Sequence, residues 1–408
     1  MLGIAQVPAI QTEQDTTATL AVKKVSPFNT GFYPVGFFDF DLKYLIKYND
    51  QEGLRLGLGG MTNKRLSEKF RINGYAAYGT KDKKIKHSVG GSYRIDPESK
   101  TWITLQYRDD INEIGAAKFL TDDRVYSVFE PRLVNVTQYY NIRTWQTNII
   151  TELTDKIAGE IRFGRSRIDQ LIRYKFINNG ITYDSYEVAE ATASIRISPK
   201  TKFFTTNDGL IEYYDGFPKI SAQITKGISD IVNSDFNYTK FGLKLDYYVK
   251  RTGLSSTNFL LEGNLAIGDV PLTHLYHAYP NSPNKQEILR RFSVAGRRSF
   301  ETMYFGEFFS DKLASLQIRH SLKRFEISEA FRPELVFITR HALGDLSNPE
   351  AHQGINFNTL DQIYNEAGLE LNKLIFGFGL SFAYRYGAYH LPATKDNIAF
   401  KFTFYAKF

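Results

Sequence analysis

The chain has 408 residues, with 51 Lys plus Arg against 44 Asp plus Glu, a formal charge of +7 and 15% aromatic residues. Mean hydropathy is −0.33 and no run of 18 apolar residues occurs, which excludes a helical membrane protein; aliphatic and aromatic residues are too plentiful for a disordered chain. With no cysteine, a disulfide scaffold, a thiol nucleophile and a cysteine-ligated metal are excluded as well.

Residues 1–35 lack the basic start and apolar core of a signal peptide and read as a lead-in segment. From there, period-2 alternation marks candidate strands at roughly 37–48, 52–62, 69–79, 85–95 and 101–108. The first clear case sets Leu54, Leu56 and Leu58 against Arg55, Gly57 and Gly59. The stretch 110–139 is loop-like, with Asp109, Asp110, Asp122 and Asp123 in or beside it. Strands resume at 140–153, 155–168, 185–198, 217–226, 236–250 and 256–268. Among these, Ala193, Ile195 and Ile197 face away from Thr192, Ser194 and Arg196, and Phe241, Leu243, Leu245 and Tyr247 alternate with Lys240, Lys244 and Asp246. The remaining candidates are 301–309, 312–322, 332–341, 364–373, 376–387 and 396–407.

The last two strands carry the sharpest contrast. Phe378, Leu380 and Phe382 oppose Gly379, Ser381 and Ala383, while Phe400, Phe402 and Phe404 oppose Lys401, Thr403 and Tyr405. Successive strand side chains point to opposite faces, so each has one greasy and one small or polar face. A soluble sandwich also alternates. Many of these segments, however, are long enough to cross a bilayer at a tilt, about 9–11 residues, and their apolar faces often end in Phe or Tyr, as an interfacial girdle requires. The fold class expected is therefore all-β: a transmembrane antiparallel barrel over 36–408, preceded by the periplasmic segment 1–35.

Seventeen candidates do not suit a single-chain bacterial barrel, which takes an even number of strands, with short turns on the periplasmic side and longer loops outside. Assigning 301–309 to the preceding loop leaves 16 strands and makes 269–311 one long external loop folded toward the lumen. Both termini then lie on the periplasmic side.

The hairpins from Glu52 to Ile95 (EGLRLGLGGMTNKRLSEKFRINGYAAYGTKDKKIKHSVGGSYRI) closely resemble a family of Bacteroidota outer-membrane proteins of unassigned function. GDVPLTHLYHAYPN (Gly268 to Asn281) and FGEFFSDKLASLQIRHSL (Phe305 to Leu322) look like the same family's later segment. Typical members place a carboxypeptidase-regulatory-like domain ahead of the barrel, and this chain looks like the barrel portion. The layout is also distantly similar to the 16-stranded insertase and translocase superfamily of the outer membrane. In that superfamily a loop before the twelfth strand enters the lumen with an Arg-Gly-aromatic motif. The matching position here is GRRSF, Gly296 to Phe300, where the motif order is broken. The resemblance makes Arg297, Arg298 and Phe300 the lumen-loop candidates, with Arg297 or Arg298 expected to anchor on Glu262 or Asp246. The terminal Phe408 resembles the signal by which barrels are recognised for insertion, implying that the barrel-assembly machinery handles this chain as a client.

Catalytic sets are poor. His274 and His277 sit three apart, but Pro271 and Pro280 bracket a loop rather than a helix, and ordinary loop histidines are the better reading. His87 and Ser88 are adjacent and so face opposite ways, which does not suit a lipid-facing Ser–His pair. Asp109–Asp110 and Asp122–Asp123 read as solvated loop acids. No P-loop, dinucleotide fingerprint or metalloprotease motif occurs, so no enzyme activity, metal or cofactor is expected. The basic groups Lys81, Lys83, Lys84, Lys86 and Arg162, Arg165, Arg167 lie opposite the aromatic faces, which suits a lumen lining or lipid headgroups rather than nucleic acid. Two functions remain from the sequence. One is a non-enzymatic assembly or translocation component with a plugged lumen and envelope-protein partners; the other is a passive porin or solute channel.

Overall fold

Exposure along Ile398–Phe404 alternates residue by residue: Phe400 and Phe402 are exposed while Ala399, Lys401 and Thr403 are buried. The same alternation runs along Phe378–Tyr386, and the register pairs Phe378 with Phe404, Leu380 with Phe402 and Phe382 with Phe400. Phe378, Leu380, Phe382, Phe400, Phe402 and Phe404 share one face of this sheet. Apolar side chains outside and charged ones inside invert a soluble protein, as expected where the outer solvent is hydrocarbon.

The computed structural model describes residues 31–120, 131–200, 202–206, 209–214, 216–251, 255–283, 293–328, 332–375 and 377–404. Its main sheet joins 18 hydrogen-bonded segments. Two of them, Phe38–Asp41 and Ile46–Asn49, both pair with Gly53–Thr62 and form one strand, β1, interrupted by the 3-10 turn Leu42–Tyr44. Setting aside the short Phe32–Val35 segment, which pairs back on β1, 16 wall strands remain. They are β1, then β2 (Gly53–Thr62), β3 (Phe70–Gly79), β4 (Ile85–Asp96), β5 (Thr101–Glu113), β6 (Tyr139–Thr154), β7 (Ile157–Gln170) and β8 (Ser185–Ile197). β9 (Lys219–Gly227), β10 (Tyr238–Lys250), β11 (Ser256–Gly268), β12 (Lys312–Ser321), β13 (Glu334–Asp345), β14 (Tyr364–Ile375), β15 (Phe378–Tyr386) and β16 (Ile398–Phe404) complete the wall. Each pairs antiparallel with the next in a simple meander. Among the described residues no backbone pairing joins β1 to β16, so the sheet is open at this seam.

Three expectations need correcting. The sheet begins within 1–35, at Phe32. β5 runs on to Glu113, which puts Asp109 and Asp110 on a strand rather than in a loop. A hairpin of Lys202–Thr206 and Gly209–Tyr214 lies between β8 and β9, where no element was expected. The segment 301–309 is not a wall strand: Phe300–Tyr304 instead pairs parallel with Pro280–Ser282, inside the long loop.

Connections at one end of the barrel are mostly brief, such as 97–100, 155–156 and 251–255, while those at the other include 114–138, 171–184, 269–311 and 346–363. These long loops build a buried apolar cluster over that mouth, which includes Tyr174, Phe176, Phe236, Leu272, Phe300, Phe309, Leu360 and Tyr364. Phe236 meets Phe176 and Tyr186 edge-on at 5.1 and 5.2 Å. Full burial of such side chains contributes roughly 1.5–3 kcal/mol each, so the loops form a folded dome. A small sheet of Lys175–Asn178, Ile181–Tyr183 and His352–Gln353 knits two of them together. It depends on Gly354, whose φ is +84° and whose Cβ would stand 1.7 Å from the Arg173 carbonyl oxygen.

Candidate functional site: the lumen loop and the seam

The loop 269–311 descends from the dome into the barrel, and one carboxylate organises it. Glu301 accepts hydrogen bonds from the Gly296 N–H at 3.0 Å, the Ser299 hydroxyl at 2.8 Å, the Asn281 amide at 2.7 Å and the Lys401 ammonium at 2.8 Å. Lys401 also donates to the Asn281 carbonyl. Glu301 and Lys401 are both buried; the additional donors offset the desolvation that a bare ion pair would leave uncompensated. One residue further, Thr302 donates to Glu366 through its N–H at 2.7 Å and its hydroxyl at 2.6 Å, and Arg340 pairs with the same carboxylate. Glu307 closes the loop with a 2.7 Å bond from Arg385. The interior of β13 to β16 is therefore filled. Arg340, Glu366, Glu370, Arg385 and Thr403 point inward and yet are buried.

The loop also reaches the seam. The Ala295 N–H donates to the Phe402 carbonyl at 2.8 Å, and the Phe402 N–H donates to the Ser293 carbonyl at 3.1 Å. Val294 thus bridges in parallel to Phe402, on the edge of β16 that β15 does not use. An open strand edge offers unsatisfied backbone donors and acceptors; here part of that edge is capped from within.

A second loop enters beside the first. The Gly115 carbonyl accepts from the His277 N–H at 3.0 Å and the Ala117 carbonyl from the Tyr279 hydroxyl at 2.7 Å. Gly115 has φ +78°, and a Cβ there would lie 3.0 Å from the His277 ring. Glu113 joins the two loops, since it binds Arg132 and lies 2.9 Å from His277 Nε2. Burial works against the Arg132 charge, but Glu113 overrides it and holds the guanidinium above its ordinary pKa. Burial pushes the imidazoles of His274 and His352 down to about 4, keeping both neutral within the dome. His352 exchanges a 2.8 Å hydrogen bond with the Tyr174 hydroxyl, which in turn accepts from the Leu272 N–H at 2.9 Å.

Of the sequence candidates, Phe300 is fully buried and meets Tyr364 edge-on at 5.6 Å. Arg298 accepts a 2.5 Å hydrogen bond from Gln317 at its carbonyl, and Arg297 is exposed. Glu262 lies 3.6 Å from Lys244, and Asp246 accepts from Asn258 at 2.6 Å. Glu301, which no motif marked, is the loop's best-satisfied anchor. Asp109 and Asp110 fall on opposite faces, and Asp110 takes a bidentate Arg55 at 2.7 and 2.9 Å inside the barrel. Ser88 is buried and turned inward, whereas His87 faces out. Arg162 faces inward, while Arg165 and Arg167 face out and pair with Glu187 and Asp169. Phe408 and the Asp122–Asp123 pair lie outside the described residues. Among the described residues no cluster of three His, Asp or Glu side chains is arranged to hold a metal.

A family model described as the C-terminal domain of a family of unknown function (DUF5686) matches residues 38–265. A search of the curated proteins finds no match. Among solved structures the chain is similar to BamA from Haemophilus ducreyi lacking POTRA domains 1–3, with a TM-score of 0.52 and 11% identity, covering 88% of this chain and 68% of that one. CdiB from Escherichia coli matches at TM-score 0.47 and 9% identity over 88% of this chain and 60% of its own. OccK10 from Pseudomonas aeruginosa matches at 0.33 and 11% over 88% and 92%. The likeness to BamA shows the fold, a large antiparallel β-barrel.

Proposed function

The chain belongs to the DUF5686 C-terminal-domain family, a family of unknown function, and from that premise we propose that it is a non-enzymatic outer-membrane barrel of the assembly or translocation type, held closed by its own loop. The observation that carries this reading is the capped edge of β16: Ser293–Ala295 occupies backbone groups of Phe402 that a neighbouring strand would otherwise use. A passive pore gains nothing from a loop bound at its seam, whereas a barrel that engages extended envelope proteins needs an edge that can be covered and uncovered. The outward phenylalanines of β15 and β16 support placement in lipid. Long loops at one end and brief turns at the other support an orientation with both termini on the periplasmic side.

Because the chain has no cysteine, a V294C/F402C pair introduces the only two thiols and reports directly on the seam. Oxidative crosslinking within one chain is expected, along with a planar-bilayer trace that is closed when oxidised and flickers when reduced. A large, steady current in the unmodified protein that is indifferent to the crosslink would replace this reading with the porin.

A further inference from the structure

The outer wall of β9 to β13 is not evenly greasy. Ala222, Leu243, Gly263, Ala314 and Leu343 are direct cross-strand partners in one row across these five strands. The row faces outward: Leu243 and Leu343 are exposed, whereas the chain neighbours Glu262, Asn264, Leu313 and Ser315 are buried. Gly263 and Ala314 therefore leave a notch between two leucines. A Cβ built on Gly263 would meet no atom within 4 Å, so no neighbouring side chain fills it. The next row toward the dome sets Phe241, Leu265, Lys312 and Asp345 side by side. Together these residues line a groove of about 780 Å³, within the ~300–1,000 Å³ usual for pockets that hold a small ligand.

The groove opens to the outside and not into the lumen. On the inner face Leu313 is packed in the dome cluster, and a Cβ on Gly242 would stand 2.9 Å from the Phe119 ring. Its rim on the dome side is charged. Lys312 opens β12 and Asp345 closes β13; Asp361 arrives beside them because the Leu360 carbonyl accepts from the Gly344 N–H at 2.8 Å. Each carboxylate has a local donor, the Leu346 N–H at 2.9 Å on Asp345 and the Tyr389 hydroxyl at 2.7 Å on Asp361. The Lys312 ammonium makes no hydrogen bond or salt bridge among the described residues. The body of the groove meets hydrocarbon, which an acyl chain fills, and the rim selects the head. A purely anionic head would meet Lys312 but be repelled by two carboxylates; a zwitterion with its phosphate toward Lys312 and its ammonium toward Asp345 and Asp361 satisfies all three.

We propose that this groove binds one phospholipid with an amine-bearing zwitterionic head, its acyl chain seated on Gly263 and Ala314 and its head held by Lys312, Asp345 and Asp361. The site requires only that the wall stands in lipid, and holds whether the barrel is a plugged assembly component or a pore.

The test is native mass spectrometry of the full chain in detergent micelles, titrated with phosphatidylethanolamine or with phosphatidylglycerol carrying the same acyl chains. One phosphatidylethanolamine retained per barrel is expected, bound at least tenfold more tightly than phosphatidylglycerol. G263F and A314F fill the notch with a side chain that the lipid face already carries elsewhere, and each should weaken retention at least tenfold. A76F, on the outer face of distant β3, should change it less than twofold. D345N/D361N should bring the two lipids within twofold of each other. Equal retention of both lipids by the parent protein would overturn the headgroup assignment, and retention that survives both G263F and A314F would overturn the site. A dimer that A314F dissolves, with no lipid retained, would replace the lipid by a second copy of this chain.

Discussion

Lys401 on the last wall strand holds Glu301 of the long loop at 2.8 Å, with both side chains buried. The bond ties the plug to the edge strand of the seam rather than to either strand from which the loop springs.

Removing one partner of that pair leaves the other charged and enclosed. E301Q is therefore expected to loosen the loop by about 3–5 kcal/mol and to produce channel openings in a planar bilayer. The double variant E301Q/K401M should recover most of the loss, because a buried pair replaced by neutral groups is often close to neutral in stability. A thermal-denaturation cycle measures the coupling, and additive single-variant effects would show that the two residues act independently.

Phe402 faces outward next to inward Lys401. F402K places a cation on the lipid face, at about 2–4 kcal/mol near the bilayer midplane, and should abolish membrane-integrated yield. F402L should insert normally. Equal recovery of F402K and F402L from the outer-membrane fraction would reverse the assignment of faces.

The dome is expected to soften in acid. His274 and His352 sit at about 4 in the closed state because burial disfavours the cation, with Glu190 and Asp311 opposing it only in part. An opened loop titrates near the ordinary 6.5 and takes up the proton first. Stability is thus intact above pH 6.5, declines as pH falls toward 4, and declines no further below that. Each imidazole contributes roughly 3 kcal/mol over the window. Hydrogen exchange of the 270–278 peptide, corrected for intrinsic rate, should rise across that interval; a flat profile would mean that the histidines titrate freely.

Gly354 is expected to reject even alanine. A Cβ 1.7 Å from the Arg173 carbonyl oxygen, at φ +84°, forces the His352–Gln353 strand away from Lys175–Asn178. G354A should open the loops 171–184 and 346–363 to added protease while leaving the wall resistant. Protection equal to that of the parent protein would show that the small sheet can shift without loss.

The wall was legible because its rule is local. Alternation alone placed Phe378, Leu380, Phe382, Phe400, Phe402 and Phe404 on one face, and the even-number rule removed 301–309 from the strand count. What alternation does not encode is partnership. Glu301 has an ordinary sequence context, and its partner lies 100 residues away. The extension of β5 to Glu113 escaped because Asp109 and Asp110 read as solvated loop acids after a strand ending at Arg108. Above the lipid level a barrel strand no longer needs a greasy face, so its pattern fades before its hydrogen bonding does.

The placement of Lys401 also sets an order of construction. Glu301 is synthesised well before the strand that carries its cation, and Ser293–Ala295 likewise has no edge to settle on until Phe402 is in position. A chain whose final strand is still unplaced therefore lacks both the cation and the edge that hold this loop. Seating of this loop and placement of the last strand are thereby coupled, since neither the carboxylate nor Ser293–Ala295 has its partner before β16 is in position.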